Sequence, residues 1–364
     1  MIRVAYVCAP NGWSLHNVGR SLVAPMAARG VAVEVVDRHA WHARPTPADV
    51  AFLAHTDFYR PGFPYKQYVR DLAVVVHDPD EVSTFYDRLS WARAPLHHAP
   101  HLAAYDRVAT GSAEMAGVLR ERYGLAVWHA ATFPHNADAI RAARATAGAQ
   151  TAGAQTAGAQ TAGARPGGTP TRFISTAYGP ERAPWAAVLR RLGDPRFWTR
   201  DEHGRLSPRQ ARSAFIRMHR KNTPWLERLG RVLGADPRAA PDFRFGRRHV
   251  QLSEVDYLDR LIGGDVYVCT SFMEGGPLPV MEAVLAGLAV VTTPVGQTAE
   301  WVRDGENGFF CRTYADVERA TRFYLDRPDV LRAHQARSRE IAAEKRFDAD
   351  GWIAFLRGDA PARA

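Results

Sequence analysis

The strongest constraint on this 364-residue chain is a pattern that occurs twice. Short runs rich in β-branched residues alternate with stretches of helical periodicity, on either side of a tract that can bury nothing. The tract spans 146–164, where Thr-Ala-Gly-Ala-Gln recurs almost perfectly, and Arg165-Pro166-Gly167-Gly168 extends it. A five-residue unit of this kind presents no apolar face, so it reads as a flexible linker without chemistry of its own. The expected organisation is a first domain over 1–140, a linker over 141–170 and a second domain over 171–364 that includes the closing helix. Both halves are of ordinary domain size.

In the first half the pattern predicts strands at 4–9, 31–36, 72–76 and 107–110, with helices at 18–29 and 112–123. The second half predicts strands at 172–177, 214–218, 242–245, 266–270 and 289–293. Its helices fall at 184–192, 225–233, 254–262, 279–286 and 315–325. Strand–helix alternation implies parallel sheets covered on both faces. The expected fold is therefore α/β, two Rossmann-like doubly wound domains facing across a cleft, with ligands outside the carboxyl ends of the strands.

Charge narrows the partner. Lys+Arg 47 against Asp+Glu 38 leaves +9, which points to a nucleotide, a nucleic acid or a membrane surface. All the basic residues except Lys66, Lys221 and Lys345 are arginine, in a chain rich in Ala, Gly and Pro, so compositional bias accounts for part of the excess. Its distribution says more than its sum. Residues 1–140 are neutral, 171–252 carry net +11 and 253–364 carry net −5. An excess confined to the opening of the second domain favours a small anion. No basic stripe interleaved with aromatics marks a nucleic-acid surface. A neutral first domain leaves membrane-surface attachment the weaker reading. Cys8, Cys269 and Cys311 form no Cys-x-x-Cys, and the first two sit in apolar runs as core thiols. The N-terminus is too short in apolar residues for a signal peptide, and no run approaches a membrane span, so a cytoplasmic location is expected.

The most informative stretch runs from Val266 to Ala283: a buried strand, the loop Phe272-Met273-Glu274-Gly275-Gly276-Pro277 and a helix that Pro279 can open and Gly287 can close. It brings a helix N-terminus to the carboxyl edge of the sheet, which suits a diphosphate. Glu274 leaves the strand and Glu282 lies early in the helix. Carboxylates beside a phosphate need another ligand, and paired sugar hydroxyls supply donors for their oxygens. Taken alone, each is more often a solvated helix-end charge or cap. Asp78-Pro79-Asp80 follows a strand and has the form of a manganese-binding Asp-x-Asp, but two acids around a proline arise easily by chance. His97, His98 and His101, broken by Pro100, lack the spacing of a helical metal pair. No metal site is expected. Trp13, Phe58, Tyr59, Phe63 and Tyr65 either line an acceptor pocket or pack as satellite core.

Glu274-x7-Glu282, the run Ala283 to Gly296 and Asp304-Gly305-Glu306-Asn307-Gly308-Phe309 together resemble the signature block of the retaining glycosyltransferases of family four. The resemblance is most specific over 244–312. It implies the GT-B architecture, a metal-independent retaining reaction without a cofactor, a nucleotide-diphospho-sugar donor and a small-molecule or glycan acceptor held by the first domain. Residue by residue it implies that Glu282 holds the ribose hydroxyls and that Glu274 faces the donor sugar. Amides around Gly275, Gly276 and Leu278 would touch sugar and diphosphate, with Gly12 approaching the diphosphate. His77 would stand at the acceptor side of the donor sugar, against the plainer reading of a strand-end histidine with local hydrogen bonds. The chain departs from the family at Pro277, often glycine, and at Ala177, where the arginine of a basic pair is expected. Arg182 falls at the lysine of that pair, with Lys221 as the alternative. Taking 214–218 as the second strand and 242–245 as the third favours Arg182. The competing function is a basic nucleic-acid- or membrane-binding protein without transferase activity.

Overall fold

The computed structural model describes residues 1–9, 14–76, 102–130, 140, 142–146, 170–175, 199–200, 206–207, 222–243, 254–271, 278–345 and 347–359. Six parallel strands form the first sheet: β1 (Ile2–Cys8), β2 (Val31–Asp37), β3 (Ala48–Leu53), β4 (Val69–Val76), β5 (Arg107–Thr110) and β6 (Val127–His129), in the order β2-β1-β3-β4-β5-β6. Helices α1 (Ser14–Ala27), α2 (Arg38–Ala43) and α3 (Ala113–Tyr123) connect them. Between β3 and β4 the connection uses two 3-10 turns and a stack of aromatic rings. Trp41 lies 5.9 Å from Tyr65, and Tyr59 stacks on Tyr65 at 5.3 Å. Phe58 and Tyr65 are buried and Tyr59 and Phe63 pack half-buried against the same core. Four of the five aromatics singled out in the sequence are thus core; Trp13 lies outside the described residues.

The second sheet is also parallel, with β7 (Thr171–Ser175), β10 (Ala239–Phe243), β11 (Val266–Cys269), β12 (Ala289–Thr292) and β13 (Gly308–Phe310) in the order β10-β7-β11-β12-β13. A two-stranded antiparallel ribbon, β8 (Thr199–Arg200) with β9 (Leu206–Ser207), stands apart from it. The helices are α4 (Thr223–Gly234), α5 (Glu254–Gly263), α6 (Leu278–Leu285), α7 (Thr298–Trp301), α8 (Tyr314–Asp326), α9 (Pro328–Glu344) and α10 (Ala349–Arg357). Side chains on β11 and β12 alternate between two cores. Val266, Val268, Ala289 and Val291 meet α4 and α8, while Tyr267, Cys269 and Val290 meet α6. Burial on both faces explains why these strands read as unbroken apolar runs.

The sheets contain three strands that the sequence pattern did not predict, β3, β6 and β13, and two further findings differ from it. β10 pairs directly with β7, Pro241 opposite Phe173, and β11 takes the other side of β7. The strand predicted at 242–245 is therefore the second of its sheet, displaced to 239–243, and the strand-order argument for Arg182 loses its basis. The predicted 214–218 and 184–192 elements lie outside the described residues. Pro241 misled the reading because it breaks a β pattern; as an edge-strand residue among those described, it forfeits no inner ladder bond. The closing helix α10, grouped by sequence with the second half, packs on the first sheet. Trp352 and Phe355 meet Phe52 at 5.5 and 6.1 Å and Trp128 at 5.0 and 5.1 Å. Arg107 donates to the carbonyls of Phe355 and Leu356 at the C-terminus of α10, where a cation opposes the helix dipole, and binds Asp71 at 2.6 Å.

The three cysteines are buried and form no disulfide; burial pushes the Cys8 thiol up to about 11 and the Cys311 thiol up to about 12. Among the described residues no helix is long and apolar enough to cross a membrane.

Because Trp352 is 1% exposed against two aromatic neighbours of the first sheet, Trp352→Ala is expected to cost about 3–5 kcal/mol of stability in urea denaturation. A loss below about 1 kcal/mol would show that α10 is not part of that core.

Candidate functional site

In each sheet the chain reverses direction at its first strand: β1 lies between β2 and β3, and β7 lies between β10 and β11. The crevice outside the carboxyl ends at such a point is where open α/β sheets bind ligands. In the second sheet this edge is lined by buried hydroxyls, Ser175, Thr270, Ser271, Thr292 and Thr293. Thr293 donates from its hydroxyl to the Ser271 carbonyl, and its amide donates to the Cys269 carbonyl at 3.1 Å. The exits of β11 and β12 are thereby held together.

Two helices begin at this edge. α6 carries Glu282, 2% exposed, and ends in the glycine the sequence predicts: Gly287 adopts φ +71, and the Leu288 amide reaches back to the Ala283 carbonyl at 2.9 Å. A side chain at 287 would also collide with the Arg144 guanidinium, 2.1 Å from an added Cβ. A carboxylate this buried needs donors, and the Tyr257 hydroxyl on α5 donates to Glu282 Oε2. α4 begins after Asn222, which sits at φ 49, a left-handed conformation that costs a non-glycine residue strain. Asn222 is 4% exposed; its carbonyl accepts from Thr270 Oγ1 at 3.3 Å, and its Nδ2 is buried with no partner among the described residues. The start of α4, the exit of β11 and their hydroxyls therefore converge.

The carboxyl edges of the two sheets meet through α7. Glu300 Oε1 accepts from the Ala113 amide at 2.8 Å in the first turn of α3, and Oε2 lies 3.1 Å from His129 Nε2 at the end of β6. A carboxylate at a helix N-terminus complements its dipole. Leu278, at the start of α6, packs half-buried against both the first core and the core beneath α6. Of the site residues expected from sequence, the structure describes Glu282 and Leu278. His77, Gly12, Arg182, Lys221, Glu274, Gly275 and Gly276 lie outside the described residues, as do Asp78, Asp80, His97, His98 and His101. Among the described residues no group of three or more His, Cys, Asp or Glu is placed to hold a metal ion. The 304–309 motif proves architectural: Asp304 accepts from the Phe310 amide at 2.8 Å, and Asn307, fully buried, donates to the Trp301 carbonyl and Ser338. Tyr257 and Glu300 were missed, because neither carries a local signal; each acquires its partner only through packing between helices.

Residues 249–340 match the family model described as Glycosyl transferases group 1, and this segment contains Glu282. No curated protein matches the chain. Among solved structures the chain is similar to Anabaena HepE in complex with UDP and glucose, at 12% identity and TM-score 0.54 over 98% of each chain. It is similar to sucrose-phosphate synthase from Thermosynechococcus elongatus, at 14% identity and TM-score 0.58 over 98% of this chain and 97% of that one. It is also similar to WaaG, a glycosyltransferase involved in lipopolysaccharide biosynthesis, at 14% identity and TM-score 0.51 over 98% of this chain and 100% of that one. At these identities the likeness is one of fold. The chain has the GT-B fold, two Rossmann-like α/β domains with parallel sheets.

Removing the Tyr257 hydroxyl takes a donor from a buried carboxylate. Tyr257→Phe is expected to lower stability by about 1–3 kcal/mol in urea denaturation at neutral pH. A change within about 0.3 kcal/mol would show that this bond contributes nothing.

Proposed function

We propose that this protein is a retaining, metal-independent glycosyltransferase that moves a sugar from a nucleotide-diphospho-sugar to an acceptor held by the first domain. The observation that carries the reading is Glu282, a buried carboxylate on the helix leaving β11 at the carboxyl edge, inside the segment that matches the glycosyltransferase model. Held by the Tyr257 hydroxyl, its carboxylate oxygens suit the paired hydroxyls of a ribose. Glu274 and the amides of Gly275, Gly276 and Leu278 would face the donor sugar and diphosphate, with Gly12 and His77 approaching from the first domain.

For the diphosphate, sheet order now supports Lys221 ahead of Arg182. α4 is the last helix before β10, the direct neighbour of β7, and Lys221 immediately precedes Asn222 at its start. The buried Nδ2 of Asn222, with no partner among the described residues, adds a donor beside that helix N-terminus. Together they offer the departing diphosphate a cation and amide donors. In the reaction the acceptor oxygen forms its bond to the anomeric carbon on the face from which the diphosphate departs. The carbon–oxygen bond to the diphosphate breaks, and the acceptor proton passes to the departing phosphate oxygen. HepE is solved with UDP, with UDP and glucose and with UDP-glucose, which makes uridine the first base to test. Three cysteines without a disulfide suit the reducing cytoplasm.

A thermal-shift panel of UDP, GDP, ADP, TDP and CDP tests the reading. One nucleotide is expected to raise the melting temperature at a hundred times its dissociation constant by the equivalent of about 2.7 kcal/mol, with Glu282→Ala abolishing the rise. Absence of any nucleotide effect, or a rise that Glu282→Ala leaves intact, overturns it.

A further inference from the structure

The first domain carries a second crevice of the same topological kind as the nucleotide edge, and its lining has a different chemistry. The reversal at β1 opens between the carboxyl ends of β2 and β3. Arg38 opens α2 directly after β2, and Arg60 follows the 3-10 turn Thr56–Phe58 that leaves β3. The two segments touch: the Arg38 guanidinium lies over the Phe58 ring, 5.1 Å from its centroid, and donates from Nε to His39 Nε2 at 3.1 Å. The Arg60 amide donates to the Tyr65 hydroxyl at 2.8 Å, and that hydroxyl is 3.0 Å from His42 Nε2. The Tyr65 hydroxyl thus joins the segment that follows β3 to α2. Burial first, and then the charges of Arg60, His39 and Arg38, hold His42 below its ordinary range.

Arg38 and Arg60 therefore stand on adjoining segments of one edge, and among the described residues neither guanidinium has a carboxylate partner. Asp37, next in sequence, spends Oδ1 on the amides of His39 and Ala40 and buries Oδ2. Arg107 and Arg260, by contrast, are paired with Asp71 and Asp242. The aromatic rings beneath are committed to the core, which leaves the Arg38 and Arg60 guanidinium groups as the donors that this edge can offer a ligand. Guanidinium groups bind phosphate oxygens through paired donors, and a cation stacked on a ring is held ready to do so.

We infer that the switch-point crevice of the first domain is a phosphate subsite built from Arg38 and Arg60, and that the sugar acceptor of this enzyme carries a phosphate. The acceptor role rests on the glycosyltransferase reading; the phosphate subsite does not. The phosphate can belong to a soluble sugar phosphate or to a phospholipid headgroup, and the test separates the two. Calorimetry is run with glucose 6-phosphate, inorganic phosphate and glucose, and sedimentation with phosphatidylglycerol vesicles. At least one phosphate probe is expected to bind where glucose does not, and the R38Q/R60Q double variant is expected to weaken it about tenfold or more. The same variant should keep the nucleotide-induced thermal shift of the wild type, which shows that the fold and the donor edge are intact. Binding of the soluble probes assigns a sugar phosphate, whereas binding confined to vesicles and lost in the variant assigns a headgroup. Equal binding of glucose and glucose 6-phosphate, unchanged affinity in the double variant, or no binding of any phosphate probe overturns the subsite. If phosphate binds but no nucleotide does, the transferase reading fails and the subsite stands.

Discussion

Burial of β11 and β12 on both faces is the constraint from which the rest of the second domain follows. With alternate side chains committed to two different cores, neither face of these strands can carry a polar group. Polar side chains are admitted only where the strands end, and there the sheet places Thr270, Ser271, Thr292 and Thr293. The helices that cover the faces must start at that same edge. Their unpaired amides and the strand-end hydroxyls therefore share one rim, and Glu282 is drawn into it by the first turns of α6.

Burial then decides what the carboxylate can do. A charge that is 2% exposed is costly unless donors surround it, so Tyr257 is part of the same unit as Glu282 although it comes from another helix. Burial also limits the freedom of the two domains. Leu278 sits between two cores, Glu300 reaches from α7 to the first turn of α3 and to His129, and α10 returns from the second half to complete the first core. The sheet edges face one another because three separate elements hold them there.

Local chemistry made much of this legible in sequence. The apolar runs at 266–270 and 289–293 and the cap glycine at 287 express nearest-neighbour rules, and all reappear in the structure. Where pairing partners decided the outcome, local rules failed. β10 begins at Ala239 and runs through Pro241 because an edge position tolerates a missing donor. β3 and β6 carried too little pattern to be read, and they exist because β1, β4 and β5 supply their ladders. Arg38 and Arg60 looked like two more arginines in an arginine-rich chain until the sheet order set them on either side of β1.

By itself the sequence determined two α/β halves, the run of buried strands, the position of Glu282 and the concentration of positive charge in 171–252, since each follows from periodicity, capping or composition along a short stretch. Only the tertiary structure decided which strand lies beside which, that the closing helix belongs to the first core, and that Tyr257, Glu300, Arg38 and Arg60 have the neighbours they have. The physical reason is the same in each case. Pairing, packing and charge proximity act between residues distant in the chain, and their energies are settled by the whole fold rather than by any local stretch.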